Sequence, residues 1–374
     1  MRAWREINLD AIKNNVKNIR SLLNEKTRLL AVIKADAYGH GAVEVAKTLL
    51  FEGGADYFGV ATYSEAEQLR RAGISAPILI LGAVFDDEYE NLVKDDITLT
   101  VFDFNTAKKL SDTAKKCGKT AKIHIKIDTG MARIGFLPGS EAVGEIEKIS
   151  RLENIEIEGM FSHFAKADEK DKLPTRVQFE KFMSIRNELL KRDIKIPICH
   201  ICNSAGIMEF PEYHLDMVRS GIITYGHYPS DFVDKTRLKL ESAMTFKSRV
   251  VYIKTVEKGT EISYGGIFTA DRKMRVATVA TGYADGYNRL LSNRAYVLIN
   301  GEKCRVLGRV CMGQLMGDVT DLKNINLGDE VILFGKSGNN TVTVEKTAEI
   351  IGTINYEVLC SLSGRVPPIY IKGA

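Results

Sequence analysis

The stretch LLAVIKADAYGHGAVEVAKTLL, residues 29–50, joins an apolar run ending on a lysine to a turn with two glycines and an amphipathic segment. Residues 29–34 read as a strand with no polar face, and such strands belong to parallel sheets covered on both sides. The pattern repeats down the chain. YFGVAT (57–62), PILILG (77–82), ITLTVF (97–102), KIHIKI (122–127), EIEGMFSHF (156–164), ICHICN (198–203) and HLDMVRSG (214–221) make eight runs in all. Helical patterns lie between them: SEAEQLRRAG, with Ser64 as N-cap and Gly73 as stop, and FNTAKKLSDTAKKCG, stopping at Gly118. DAIKNNVKNIRSLLNE forms a helix before the first strand. Eight strand–helix units predict a closed (β/α)8 barrel of the TIM type over residues 1–235, within an α/β chain.

After residue 235 the texture changes to alternating β patterns. Asn300-Gly301 separates two of them as a two-residue hairpin, Leu327-Gly328-Asp329-Glu330 leads into VILFG, and TVEKTAEIIG is the one long amphipathic segment. Residues 236–374 are read as a mainly β domain.

Composition narrows the partners. The 374 residues hold 52 basic and 48 acidic side chains, interspersed, for a net charge of +4. That balance gives no footprint for nucleic acid or a membrane surface and leaves a small molecule as the expected partner. MRAWREINLD lacks the apolar core of a signal peptide, and no run of about 20 apolar residues is present, so a cytoplasmic location is expected. Six cysteines are too few for a disulfide framework. Cys199 and Cys202, read as three apart on a strand, face opposite ways and are not taken as a redox or metal pair.

In a barrel, chemistry sits where the strands end at their C-terminal side. Those ends carry Lys34 through Tyr38, Asp128 through Arg133, His163, Asn203-Ser204 and Arg219-Ser220-Gly221. Lys34 has two readings: a side chain snorkelling to the rim, or a desolvated amine that forms a Schiff base. The glycines of Tyr38-Gly39-His40-Gly41 let backbone approach an anion, and Ser204, Gly221 and Tyr356 offer further donors. Together these describe a phosphate cup beside an aldehyde-binding amine, as pyridoxal 5′-phosphate requires. Alternation along KIHIKID places His124, Lys126 and Asp128 on one strand face, where a bare ammonium is expensive if that face is the barrel interior. His124, Asp128, His163 and His200 could suggest a metal site, but no HxH or HxxxH spacing supports it.

AVIKADAYGHG (31–41), KIDTGMARIGF (126–136), FSHFAKAD (161–168), CNSAG (202–206), HLDMVRSGIITYG (214–226), ISYGGIFTA (262–270), TGYADGYNR (281–289) and GRVCM (308–312) resemble the bacterial alanine racemases, from WREINLDAIKNN to GRVPPIY. The resemblance implies a pyridoxal-phosphate enzyme that interconverts L- and D-alanine for cell-wall synthesis, built as a homodimer with shared active sites. Lys34 then binds the cofactor and acts as one base, and Tyr264 of the other subunit is the second. Arg219 hydrogen-bonds the pyridine nitrogen and His163 packs on the ring. Tyr38, Asn203, Ser204 and Tyr356 hold the phosphate region, with backbone at Gly221 and Ile222. Arg133 binds the substrate carboxylate, helped by backbone at Met312, and Tyr283 lines the entrance. Lys126 is expected to be carbamylated and to orient Arg133. Two positions depart from the family: Gly313 stands where an aspartate is usual, and Gly317 where a larger apolar residue is. A serine or broader amino-acid racemase, a non-catalytic cofactor carrier, and an aldolase or decarboxylase on the same barrel remain alternatives.

Overall fold

Why the apolar runs become parallel strands is plain in the computed structural model, which describes residues 1–372. Eight short strands pair in sequence order: Arg28–Val32, Tyr57–Val60, Ile78–Ile80, Thr98–Val101, Ala121–Lys126, Ile155–Phe161, Ile198–His200 and Met217–Ser220. Every pairing is parallel, and the last strand returns to the first, Leu30 facing both Tyr57 and Arg219. The seam between the seventh and eighth strands is bridged by Asp216 N to Cys199 O at 3.1 Å and Arg219 N to Cys202 O at 3.0 Å. Helices between the strands supply the outer cover, and Leu29, Leu30, Ala31 and Ile33 are fully buried, as a strand covered on both sides requires.

The helix over Tyr63–Arg71 corrects one expectation. Its N-cap is Thr62, not Ser64, because Thr62 and Glu65 form a reciprocal capping box that satisfies two amides at once. Asp103 caps Phe104–Lys116 in the simpler way. The strand at ICHICN ends at His200, so Cys202 lies beyond it; both cysteines are buried and free.

The chain divides into two units by contact density. One comprises Ile12–Ala37 and Gly41–Glu241; the other comprises Met1–Ala11, Tyr38–His40 and the chain from Ser242 on. The second unit holds a nine-stranded sheet. Its long strand Met244–Val256 pairs antiparallel with Ala3–Asn8, which also pairs parallel with Pro368–Ile371. The first strand of the sequence thus belongs to the sheet of the last third. Asn300 (φ 52°) and Gly301 (φ 83°) turn the hairpin between Tyr296–Ile299 and Glu302–Leu307, both in the left-handed region that a two-residue turn demands. TVEKTAEIIG folds as the helix Val344–Ile351, with Thr343 as N-cap and Gly352 as left-handed C-cap. Among the described residues no helix is long and apolar enough to cross a membrane.

Candidate active site

Lys34 leaves the first barrel strand into an unusual turn. Ala35, Asp36, Ala37 and Tyr38 all have φ between 52° and 54°, and Gly39 follows at 81°. Four consecutive non-glycine residues in the left-handed region cost about 1–2 kcal/mol each, so the surroundings must hold them. Glu65 accepts from Ala35 N at 2.7 Å with one oxygen and from Ala61 N at 2.7 Å with the other. The Asp36 carbonyl accepts from Gly41 N at 2.9 Å, and its carboxylate accepts from Ala42 N at 2.8 Å. Strain of this kind gathers at functional sites. It was not legible in the sequence, where only the two glycines signalled a turn.

The loop after Lys126 is built around Asp128. Its carboxylate accepts from the amides of Gly130, Met131, Ala132 and Arg133 at 2.8–3.1 Å. Burial raises the carboxyl's affinity for a proton, but the four amides outweigh it and hold it below the usual range. Asp128 therefore anchors the loop that presents the exposed Arg133. Gly135 completes it: a Cβ there would lie 2.5 Å from Asp128 N.

Lys126 is 3% exposed, and its Nζ donates to Ile127 O at 3.0 Å and lies 5.1 Å over the Phe161 ring. Burial, helped by the positive charges of Arg219 and Arg133, pushes its amine down to about 7. Buried Arg219 donates through Nη2 to Ser162 O at 2.7 Å and Ile201 O at 2.9 Å, and through Nη1 to His200 Nδ1 at 2.8 Å. Burial brings it down to about 10, still a cation at neutral pH. His163 sits 3.3 Å from Arg219 Nη2. Burial, then the charges of Arg219, Arg133, Lys126 and Lys34, keep its imidazole neutral. Arg219 and Lys126 thus face the same Phe161 ring beside His163, in surroundings whose positive charge favours an anion.

Ser204 and Gly221 meet, Gly221 N donating to Ser204 Oγ at 3.0 Å. Asn203 acts as an N-cap, its Oδ1 accepting from Gly206 N at 3.0 Å. Ile222 opens a short 3-10 turn directly after Gly221. In the other unit the rings of Tyr38 and Tyr356 lie 6.0 Å apart, and burial pushes the Tyr38 phenol well up. His124 and His200 hydrogen-bond to one another at 2.8 Å, and among the described residues no three His, Cys, Asp or Glu converge on a metal position.

Tyr264, Met312 and Tyr283 belong to one knot of the β unit. Ser263 Oγ donates to Arg309 O at 2.6 Å, Tyr283 N to Cys311 O at 3.0 Å, and Ala284 N to Met312 O at 2.9 Å. A Cβ on Gly282 would stand 2.1 Å from Cys311 O, so only glycine permits the approach. The knot presents large side chains outward: Tyr264 is 70% exposed and Met312 60%. At Gly313 the vacant Cβ position lies 3.4 Å from Arg2 Nη1 and 3.7 Å from Arg365 Nη2. Both arginines pair with buried Asp285.

Two family models match the chain: "Alanine racemase, N-terminal domain" over residues 7–229 and "Alanine racemase, C-terminal domain" over residues 243–370. An alanine racemase of Methanococcus maripaludis is 50% identical over 368 residues, covering 98% of each chain. The solved alanine racemase of Clostridium difficile 630 superposes with a TM-score of 0.96 at 49% identity, covering 100% of this chain and 96% of that one. Its complex with cycloserine gives a TM-score of 0.94 at 47% identity with the same coverage.

Proposed function

Because the chain belongs to the alanine racemase family, we propose that it interconverts L- and D-alanine with pyridoxal 5′-phosphate as cofactor, supplying the D form for cell-wall peptides in the cytosol. The observation that carries this reading is buried Arg219 at the strand ends, 3.3 Å from His163 Nδ1 and facing the same Phe161 ring as buried Lys126. The residues of the barrel unit suit the cofactor: Lys34 would offer an amine for its aldehyde, and Ser204 and the backbone at Gly221 and Ile222 donors for its phosphate. The guanidinium of Arg219, held by two carbonyls and His200, would donate to the cofactor's pyridine nitrogen. When bound, the cofactor supplies an electron sink for the carbanion at the substrate's α-carbon.

Arg133 holds the substrate carboxylate through its planar fork. Inverting the centre needs a proton removed on one face and another delivered to the opposite face. Lys34 serves one face and Tyr264 of a second copy of the chain the other. The outward projection of Tyr264 and Met312 supports that assembly, since a large phenol standing in solvent has little to do in a lone chain. Lys126, an amine about half of which is neutral near pH 7, takes up carbon dioxide in that neutral form. Its nitrogen attacks the carbon, one C=O pair moves to oxygen, and a proton leaves the nitrogen, turning a repelling group into an anion that steadies Arg133.

The test is incubation of the purified, cofactor-loaded protein with L-alanine in heavy water. D-alanine carrying deuterium at Cα is the expected product, and absence of both exchange and inversion would sink the reading.

A further inference from the structure

The hydrogen bonds behind Arg219 continue through the barrel. Arg219 Nη1 meets His200 Nδ1 at 2.8 Å, His200 Nε2 meets His124 Nδ1 at 2.8 Å, and His124 Nε2 meets Glu158 Oε2 at 3.2 Å. Both histidines are fully buried. Glu158 also receives Thr98 Oγ1 and Lys122 Nζ, each at 3.3 Å. It lines a cavity of about 260 Å³ with Arg70, Asp96, Thr98 and Lys122, at the opposite end of the strands from Arg219.

The chain has one allowed direction. A guanidinium only donates, so His200 Nδ1 must accept, and its proton sits on Nε2. That proton goes to His124 Nδ1, which places the second proton on His124 Nε2. A carboxylate only accepts, and Glu158 closes the sequence. Any other neutral tautomer, or a protonated ring, sets two donors face to face somewhere in the run. Ring protons are thereby assigned by the two ends and the geometry between them.

The backbone is shaped for this contact. The ladder between Ala121–Lys126 and Ile155–Phe161 slips at this point: Ile123 pairs with Ile157 but His124 pairs with Gly159, leaving Glu158 as the extra residue of a bulge. A Cβ on Gly159 would stand 2.5 Å from the His124 ring, so glycine makes room for the imidazole beside the carboxylate. Phe161 stacks on His200 at 4.8 Å and 6°, fixing the ring plane.

We propose that Glu158 is a positioning residue for the reaction: through His124 and His200 it fixes both tautomers and so the orientation in which Arg219 is presented to the cofactor. The link to the cofactor rests on the functional reading above; the tautomers do not.

The experiment is 15N NMR of histidine-labelled protein, with kinetics of two variants. In the unaltered protein His124 and His200 should each show a protonated Nε2 and an unprotonated Nδ1. Glu158→Gln, whose amide oxygen still accepts, should keep both tautomers and most of the turnover. Glu158→Leu should leave His200 in mixed tautomers, lower kcat about tenfold with KM little changed, and shift the absorption band of the bound cofactor. A proton on His200 Nδ1 in the unaltered protein overturns the proposal, and so does a Leu variant with unchanged tautomers and kcat. Should the Leu variant fail to fold, the spectrum of the unaltered protein decides alone. Correct tautomers in a protein that does not racemise alanine would overturn the functional reading and leave the hydrogen-bond chain standing.

Discussion

The amide of Arg133 donates to Asp128 Oδ2 at 2.8 Å, the last of four successive amides gathered by that one carboxylate. Asp128→Ala therefore frees the loop as well as removing a charge. We expect a loss of about 2–3 kcal/mol in stability, since hydrogen bonds to a charged group are the stronger kind. KM for alanine should rise about tenfold, because Arg133 is no longer held in place. Urea unfolding and steady-state kinetics measure the two effects, and an unchanged KM would detach Arg133 from substrate binding.

Lys126, with its amine at about 7, is poised to react at neutral pH. Stripping carbon dioxide from buffers should lower activity, and bicarbonate should restore it. Native mass spectrometry should show the mass of one added carbon dioxide, lost on Lys126→Ala. Full activity with an unmodified lysine would dismiss the carbamate.

Tyr264→Phe removes the phenol proton and leaves the ring. Proton exchange at Cα should then survive from one enantiomer of alanine and vanish from the other, with the cofactor still bound. Mixing inactive Lys34→Ala chains with inactive Tyr264→Phe chains should restore activity, because a mixed dimer rebuilds one complete site. No recovery after subunit exchange would argue for sites made by single chains.

Gly313→Asp places a carboxylate against Arg2 and Arg365, which now share Asp285 between them. Two partly exposed pairs should add about 0.5–1 kcal/mol of stability. The ratio of kcat/KM for alanine over serine should change as well; identical rates and ratios would show that position 313 does not shape the pocket.

Acid sensitivity follows from Glu158. Burial raises its pKa, but the hydrogen bond from neutral His124, with the charge and hydrogen bond of Lys122, holds it at about 2. A carboxyl depressed in the folded state stabilises fully above its unfolded value of about 4.3, and that stabilisation is lost as pH falls through about 2. Between pH 5 and pH 3 the folded state should lose about 1–2 kcal/mol from this group. Glu158→Gln should flatten the decline in thermal melts, and an equal slope in both proteins would contradict the assignment.

The barrel and its eight strands are legible in residues 29–221 because a parallel strand covered on both faces writes itself as an unbroken apolar run, and Asn300-Gly301 announces its hairpin by the φ values only such residues accept readily. The cationic strand ends are legible too, once the barrel says which ends converge. Tertiary structure decided the rest. Ala3–Asn8 pairs with strands more than 230 residues away, and local pattern holds no record of a partner chosen at that distance. The left-handed turn after Lys34 persists because Glu65 and neighbouring groups hold it against the preference of four ordinary residues. Glu158 looked like one polar position in a strand; a one-residue slip in the ladder and the space left by Gly159 bring it to His124. Sequence fixes what each residue can donate, accept or bury, and only the folded geometry determines which of those capacities meet.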